Sequence, residues 1–177
     1  MAAAHGALYA FFTLHLQRLG YSGMSIGALW TLGVLAEIIV FFYLPALFRR
    51  FSLRAILLFS LLAAVVRFAA IGWAAGFLAV LVIAQLLHAL TFGAFHAASV
   101  AAVQRVFPAA AHARGQALFS SFAYGGGGAA GVLLAGWAWE LGGPALTFSL
   151  AAGVAAVGAG MMFWLQPLRL DDASRVR

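Results

Sequence analysis

The chain contains no cysteine and no lysine. Without thiols it can build neither a disulfide framework nor a thiolate metal site. Charge is scarce as well: only 8% of its 177 residues are charged, and just four of them are acidic. A soluble domain carries roughly 25% charged residues, so this chain could not clothe a water-facing surface. No basic stretch precedes the apolar opening MAAAHGALYAFF, and we read it as membrane helix rather than signal peptide. HExxH and P-loop patterns are missing, and no strand leads into a GxSxG nucleophile elbow, which leaves an enzyme or an ATP-driven pump without support. No cofactor is implied.

What is present is apolar: 66% of the residues are hydrophobic. Crossing a bilayer core takes about 20 apolar residues as helix. Six segments qualify as candidates, at about 2–17, 24–44, 54–73, 77–103, 115–139 and 144–165. Their separators carry turn chemistry or charge: RLGYSG, PALFRRFSLR, WAAG, FPAAAHAR and ELGGP. The runs are too long for strands and lack the alternation of a barrel. The fold class expected is an all-α polytopic membrane protein. Residues 1–166 form its six-helix transmembrane domain and residues 167–177 a cytoplasmic tail.

All ten basic residues are arginine, and the net charge is +6. Nucleic-acid binding would need them gathered on one face. They fall instead between apolar runs, so the lipid bilayer is the expected partner and nucleic acid is not. Eight of them (Arg49, Arg50, Arg54, Arg105, Arg114, Arg169, Arg175 and Arg177) lie on one side of the six-segment path. Arg18 and Glu140 lie on the other. The positive-inside rule then places both termini in the cytoplasm, as an even number of crossings requires.

Small residues recur every fourth position in the fifth segment, at Ala123, Gly127, Gly131 and Ala135, and in the sixth at Ala152, Ala156 and Gly160. Such spacing lets helices approach closely, so packing is the favoured reading. A bend at Gly125–Gly128 is the alternative. The first segment, 16 residues or about 24 Å of helix, looks short at its cytoplasmic end, as though sequence preceded Met1.

Polar groups at membrane depth are the main functional signal. Glu37, Arg67, Gln85 and His88 lie inside the spans. Each is expensive at the bilayer centre, by at least ~2.5 kcal/mol for Arg or Asp on insertion scales, and such groups usually mark substrate or ion paths. Glu37 shares a helix face with Trp30 and Gly33. Gln85 and Thr91 flank His88 as a polar stripe. His5 and Tyr9, four residues apart, could line the same cavity or serve as interfacial aromatics. An acid, a base and an imidazole on three successive helices suggest proton coupling, since burial or a neighbouring charge shifts proton affinity. A static Glu37–Arg67 ion pair is the bland alternative. Metal binding is not expected, because His88 and His96 are eight residues apart with no second carboxylate nearby.

The stretches GALWTLGVLAEIIVFFYLPALFRRFSLRAILLFSLLAAVVRFAAIGW, QLLHALTFGAF and FPAAAHARGQALFSSFAYGGGGAAGVLLAGWAWELGGP carry a family resemblance. The chain resembles the C-terminal half of the lactose permease and phenylpropionate permease branch of the major facilitator superfamily. The resemblance implies one half of that fold, built as two inverted three-helix repeats. It implies roles for Glu37, Arg67 and His88 in substrate recognition and proton coupling. Lactose permease carries a proton-bearing glutamate where this chain has Thr91. The phenylpropionate-type permeases, whose substrates are small aromatic acids, are the nearer likeness; a sugar or nucleoside is the alternative. Expected partners are a small-molecule substrate, a proton, and an N-terminal six-helix half or second subunit. The expected location is the cell inner membrane. A non-transporting membrane protein with structural polar residues is the competing class.

Overall fold

The computed structural model describes residues 1–164, and these are almost wholly helical. Helix α1 spans Ala2–Arg18, α2 Gly23–Arg50 and α3 Leu53–Ala74. Helix α4, Leu78–Leu86, leads through a π-helical segment, Ala89–Ala94, into α5, Phe95–Val106. A short 3-10 turn, Ala109–Ala111, precedes α6, His112–Ser120. A second π-helical segment, Ser121–Gly127, joins α6 to α7, Gly128–Trp164. Serine caps start two of these rods: Ser22 accepts from the Ser25 N–H and Ser52 from the Ala55 N–H.

Four stretches among the described residues are long and apolar enough to cross a membrane: Gly23–Arg50, Leu53–Ala74, Leu78–Val106 and Ala109–Trp164. Helix α1, with 17 residues, is shorter. Helix α7 is broken within ELGGP. Gly142 (φ −146°, ψ 15°) and Gly143 (φ 62°, ψ −155°) leave the helical region just before Pro144. Gly143 is the position where glycine is required, because no side chain tolerates that left-handed backbone.

Several boundaries differ from the sequence expectation. Helix α2 does not stop at Leu44; it continues through Pro45 to Arg50. Pro45 sits late in the helix on an exposed face, where losing one N–H costs least. The fifth segment begins at His112 rather than 115. Residue 165 and the tail at 167–177, with Arg169, Arg175 and Arg177, lie outside the described residues.

The main core joins α1, α3, α4 and α7 through Leu8, Phe12, Phe68, Ile71, Leu81 and Phe148. Helix α1 lies on α7 backbone to backbone. A Cβ on Gly131 would sit 2.1 Å from the Ala3 carbonyl oxygen, and one on Gly6 2.6 Å from the Gly131 carbonyl carbon. Gly131 thus lies against the α1 backbone, and Ala135 is buried one turn further along α7. Gly127 is looser, with a would-be Cβ 4.0 Å from the Ala2 Cβ, and it faces a cavity together with Ala123. The expected stripe in the last helix is corrected more strongly. Ala152 is buried, but Ala156 and Gly160 are exposed; the buried seam runs through Phe148, Ala151, Ala155 and Ala159. A strict four-residue spacing drifts about 40° per step around a helix of 3.6 residues per turn, so the stripe walks off the interface while a mixed three-and-four spacing stays on it.

Candidate functional site

Arg67 projects from α3 into the centre of the bundle and is fully buried. Its fork of donors is almost fully used. Nε donates to the Ala84 carbonyl at 2.7 Å. Nη1 donates to Thr91 Oγ1 at 3.1 Å and to His5 Nε2 at 3.3 Å. Nη2 donates to Gln85 Oε1 at 2.9 Å, and Gln85 Nε2 in turn donates to the Leu29 carbonyl at 3.0 Å. All four Arg67 partners are neutral. Three of them stand on or just before the first π-helical segment, where the altered helical turn brings Ala84, Gln85 and Thr91 round one cation.

The carboxylate of Glu37 is elsewhere. Its Oε2 lies 3.8 Å from His88 Nε2, beyond hydrogen-bonding range. The side chain lies over Gly93, where a Cβ would come within 3.0 Å of the Glu37 Cγ. A static Glu37–Arg67 ion pair is therefore not what this bundle contains. The acid faces the imidazole of the Leu78–Val106 stretch, and the cation is held by amide, hydroxyl, carbonyl and a different imidazole. His88 Nδ1 is buried without a partner. The two polar groups meet through ring contact: His5 and His88 have centroids 5.7 Å apart.

A cavity of about 390 Å³ opens beside this cluster, lined by His5, Tyr9, Thr91, Phe92, Phe119 and Tyr124 among others. Glu37, Arg67, Gln85 and His88 stand behind that lining, with Phe92 stacked on His88 at 5.3 Å. His5 and Tyr9, ambiguous in the sequence, both face the cavity. Trp30 stacks on Tyr9 at 6.2 Å and donates to Thr13 Oγ1 at 3.1 Å, so it buttresses the lining. Among the described residues no three of histidine, cysteine, aspartate or glutamate converge as metal ligands would.

Sequence reasoning named Tyr9 and Trp30 but missed Phe92, Phe119 and Tyr124 of the aromatic lining. Phe92 and His96 follow His88 at four-residue steps and form one stack, and His96 Nδ1 meets the Tyr124 hydroxyl at 2.6 Å. The spacing His88, Phe92, His96 was the available signal. Nothing in the sequence pairs His96 with Tyr124, 28 residues away.

Comparison with known proteins matches this architecture to a family. The MFS_1-like family model matches residues 1–150. A protein described as a probable 3-phenylpropionic acid transporter, from Escherichia coli (strain K12), is 38% identical over 143 residues. That alignment covers 79% of this chain and 36% of the relative, so the chain spans about a third of the length of the curated protein it matches. No solved structure matches significantly. The chain belongs to the MFS_1-like family of the major facilitator superfamily and is related to the phenylpropionate permeases.

Proposed function

We propose that the chain forms the C-terminal half of a secondary transporter in the cell inner membrane that takes up a small aromatic acid together with protons. The observation that carries this is a fixed cation, Arg67, surrounded by neutral partners behind an aromatic cavity wall. Such a wall suits a flat apolar body, and the uncompensated cation suits a carboxylate at its end. Glu37, Arg67 and His88 are the residues of substrate recognition and proton coupling, with Gln85, Thr91, His5, Tyr9 and Trp30 around them. The name of the Escherichia coli relative supports the substrate class. No enzymatic step is involved.

In this reading six helices within residues 1–166 cross the membrane as two inverted three-helix repeats. Helix α1 counts as a span, and the Gly142–Gly143 break divides the last two. Both termini face the cytoplasm, with 167–177 as a tail. A second six-helix half, on the same polypeptide or on a partner, closes the open side of the cavity, as rocking around a midplane site requires.

The test is uptake of 3-phenylpropionate, lactose and nucleosides into cells making the natural full-length protein, with Glu37→Gln alongside. Accumulation of 3-phenylpropionate that collapses with the proton gradient and in Glu37→Gln is expected. Uptake indifferent to both would remove proton coupling; transport of lactose or nucleosides alone would remove the aromatic acid. One observation favours a non-transporting reading: Arg67 is satisfied as a structural cation would be. That reading expects no thermal stabilisation by any small acid or sugar.

A further inference from the structure

His5 holds its two ring nitrogens in opposite roles. Nδ1 lies 3.3 Å from the Met1 carbonyl oxygen, which can only accept. Nε2 lies 3.3 Å from Arg67 Nη1, which can only donate. The hydrogen-bond partners therefore assign the neutral tautomer, with the proton on Nδ1 and a lone pair on Nε2. An imidazolium carries N–H groups at both positions and cannot accept. A proton on Nε2 and the Arg67 contact exclude one another.

We infer that His5 is a proton-binding coupling residue, and that its protonation frees Arg67 Nη1 to bind the substrate carboxylate at the cavity floor. The inference rests on the transport reading above and names how proton and substrate are linked within it. His5 and Thr91 both line the cavity, and Arg67 Nη1 donates to both. Once His5 accepts a proton at Nε2, Nη1 keeps Thr91 and has one donor released. A carboxylate entering there meets the imidazolium, the freed guanidinium N–H and the threonine hydroxyl together. The step moves no electrons: one proton passes from water to Nε2, one hydrogen bond breaks, and the anion brings the compensating charge.

The surroundings suit a two-way switch. Arg67 from α3 faces the His5 ring, and the His88 ring from the span that follows lies 5.7 Å away. Tyr9 is one turn along α1 at 6.0 Å. The remaining ring neighbours, Phe68 and Phe92, are neutral. The Glu37 carboxylate lies beyond the His88 ring, 3.8 Å from His88 Nε2, and an incoming carboxylate supplies the anion that an imidazolium beside Arg67 needs. By reciprocity, the proton raises affinity for the anion. Each loads only with the other, which is the requirement for symport.

The experiment measures 3-phenylpropionate affinity and exchange against pH in membrane vesicles holding the natural full-length protein. Unmodified protein, His5→Gln and His5→Asn are compared. Glutamine and asparagine can still accept from Arg67 but cannot be protonated. For one linked proton the unmodified protein should tighten by up to about tenfold per pH unit of acidification. His5→Gln holds Arg67 Nη1 at every pH, so it should stay at the weak affinity that the unmodified protein shows at high pH, with a slope smaller by one proton's share, up to about tenfold per pH unit. A slope in His5→Gln equal to that of the unmodified protein would overturn the inference and leave the transport reading standing. Affinity in His5→Gln at high pH equal to that of the unmodified protein at low pH would also overturn it. No binding of any aromatic carboxylate by the unmodified protein overturns the transport reading and this inference with it.

Discussion

Gly131→Ala adds a single methyl group, and the structure says where it goes. The new Cβ would lie 2.1 Å from the Ala3 carbonyl oxygen, 2.6 Å from the Ala3 Cα and 2.7 Å from its carbonyl carbon. All three are backbone atoms of α1, so no side chain can swing aside. Real Cβ contacts essentially never fall below 3.0 Å, so α1 and α7 must part by roughly 1 Å, enough to strip contacts along the seam. Overpacking of this kind costs typically 1–3 kcal/mol, and a backbone-limited clash belongs near 3. For a chain of this size that corresponds to a fall of roughly 6–12 °C in apparent melting temperature. Gly136→Ala is the internal control. It lies five residues further along the same helix with nothing within 4 Å of its would-be Cβ. There alanine should stabilise by about 0.5–1 kcal/mol through helix propensity. The assay is the fraction of monodisperse protein left after heating in detergent, read by size-exclusion chromatography. Gly131→Ala melting within about 2 °C of the unmodified protein would refute the close α1–α7 approach, as would equal damage from the two substitutions.

Two further substitutions test other parts of the bundle. Gln85→Leu leaves an Arg67 N–H buried without its partner and removes the extra bond that the Leu29 carbonyl accepts, at a cost of about 1–3 kcal/mol; Gln85→Glu, which keeps the acceptor for Arg67, should lose clearly less in the same melting assay. Gly143→Ala forces a side chain into φ 62°, ψ −155° and should cost about 1–3 kcal/mol, whereas Gly153→Ala, in open space on the same helix, should cost nothing measurable.

The spans were legible because hydropathy acts over 20 residues at a time and a bilayer leaves few alternatives. The break at ELGGP was legible for a similar reason: two glycines before a proline fit poorly in any continuous helix. The polar residues were legible as a set, since each is costly where it lies. Their pairing was not. Arg67 takes a carbonyl, an amide, a hydroxyl and an imidazole as partners, and the Ala84 carbonyl leaves no trace in a side-chain sequence. Opposite charges on successive helices suggested Glu37 with Arg67, but rotation about each helix axis decides who meets whom. The π-helical segments alter that rotation locally; the glycine run marked Ser121–Gly127 as a place to bend, whereas nothing in the composition of Ala89–Ala94 announces a change of turn. The same limit explains the misplaced stripe at Ala156 and Gly160.

Helix α2 touches the bundle along a single line. Its buried residues are Ile26, Leu29, Gly33 and Ala36, alternating steps of three and four, while most of its other surface stands exposed. A rod fastened along one line has its contacts least opposed to rotation about its own axis. Glu37 directly follows the last buried residue. A carboxylate about 6 Å from the helix axis travels about 1 Å for a roll of about 10°. That travel would close the 3.8 Å separation from His88 Nε2 to hydrogen-bonding distance. The bond between acid and imidazole thus becomes a readout of the angle of one helix, and whatever presses on the outer face of α2 sets that angle.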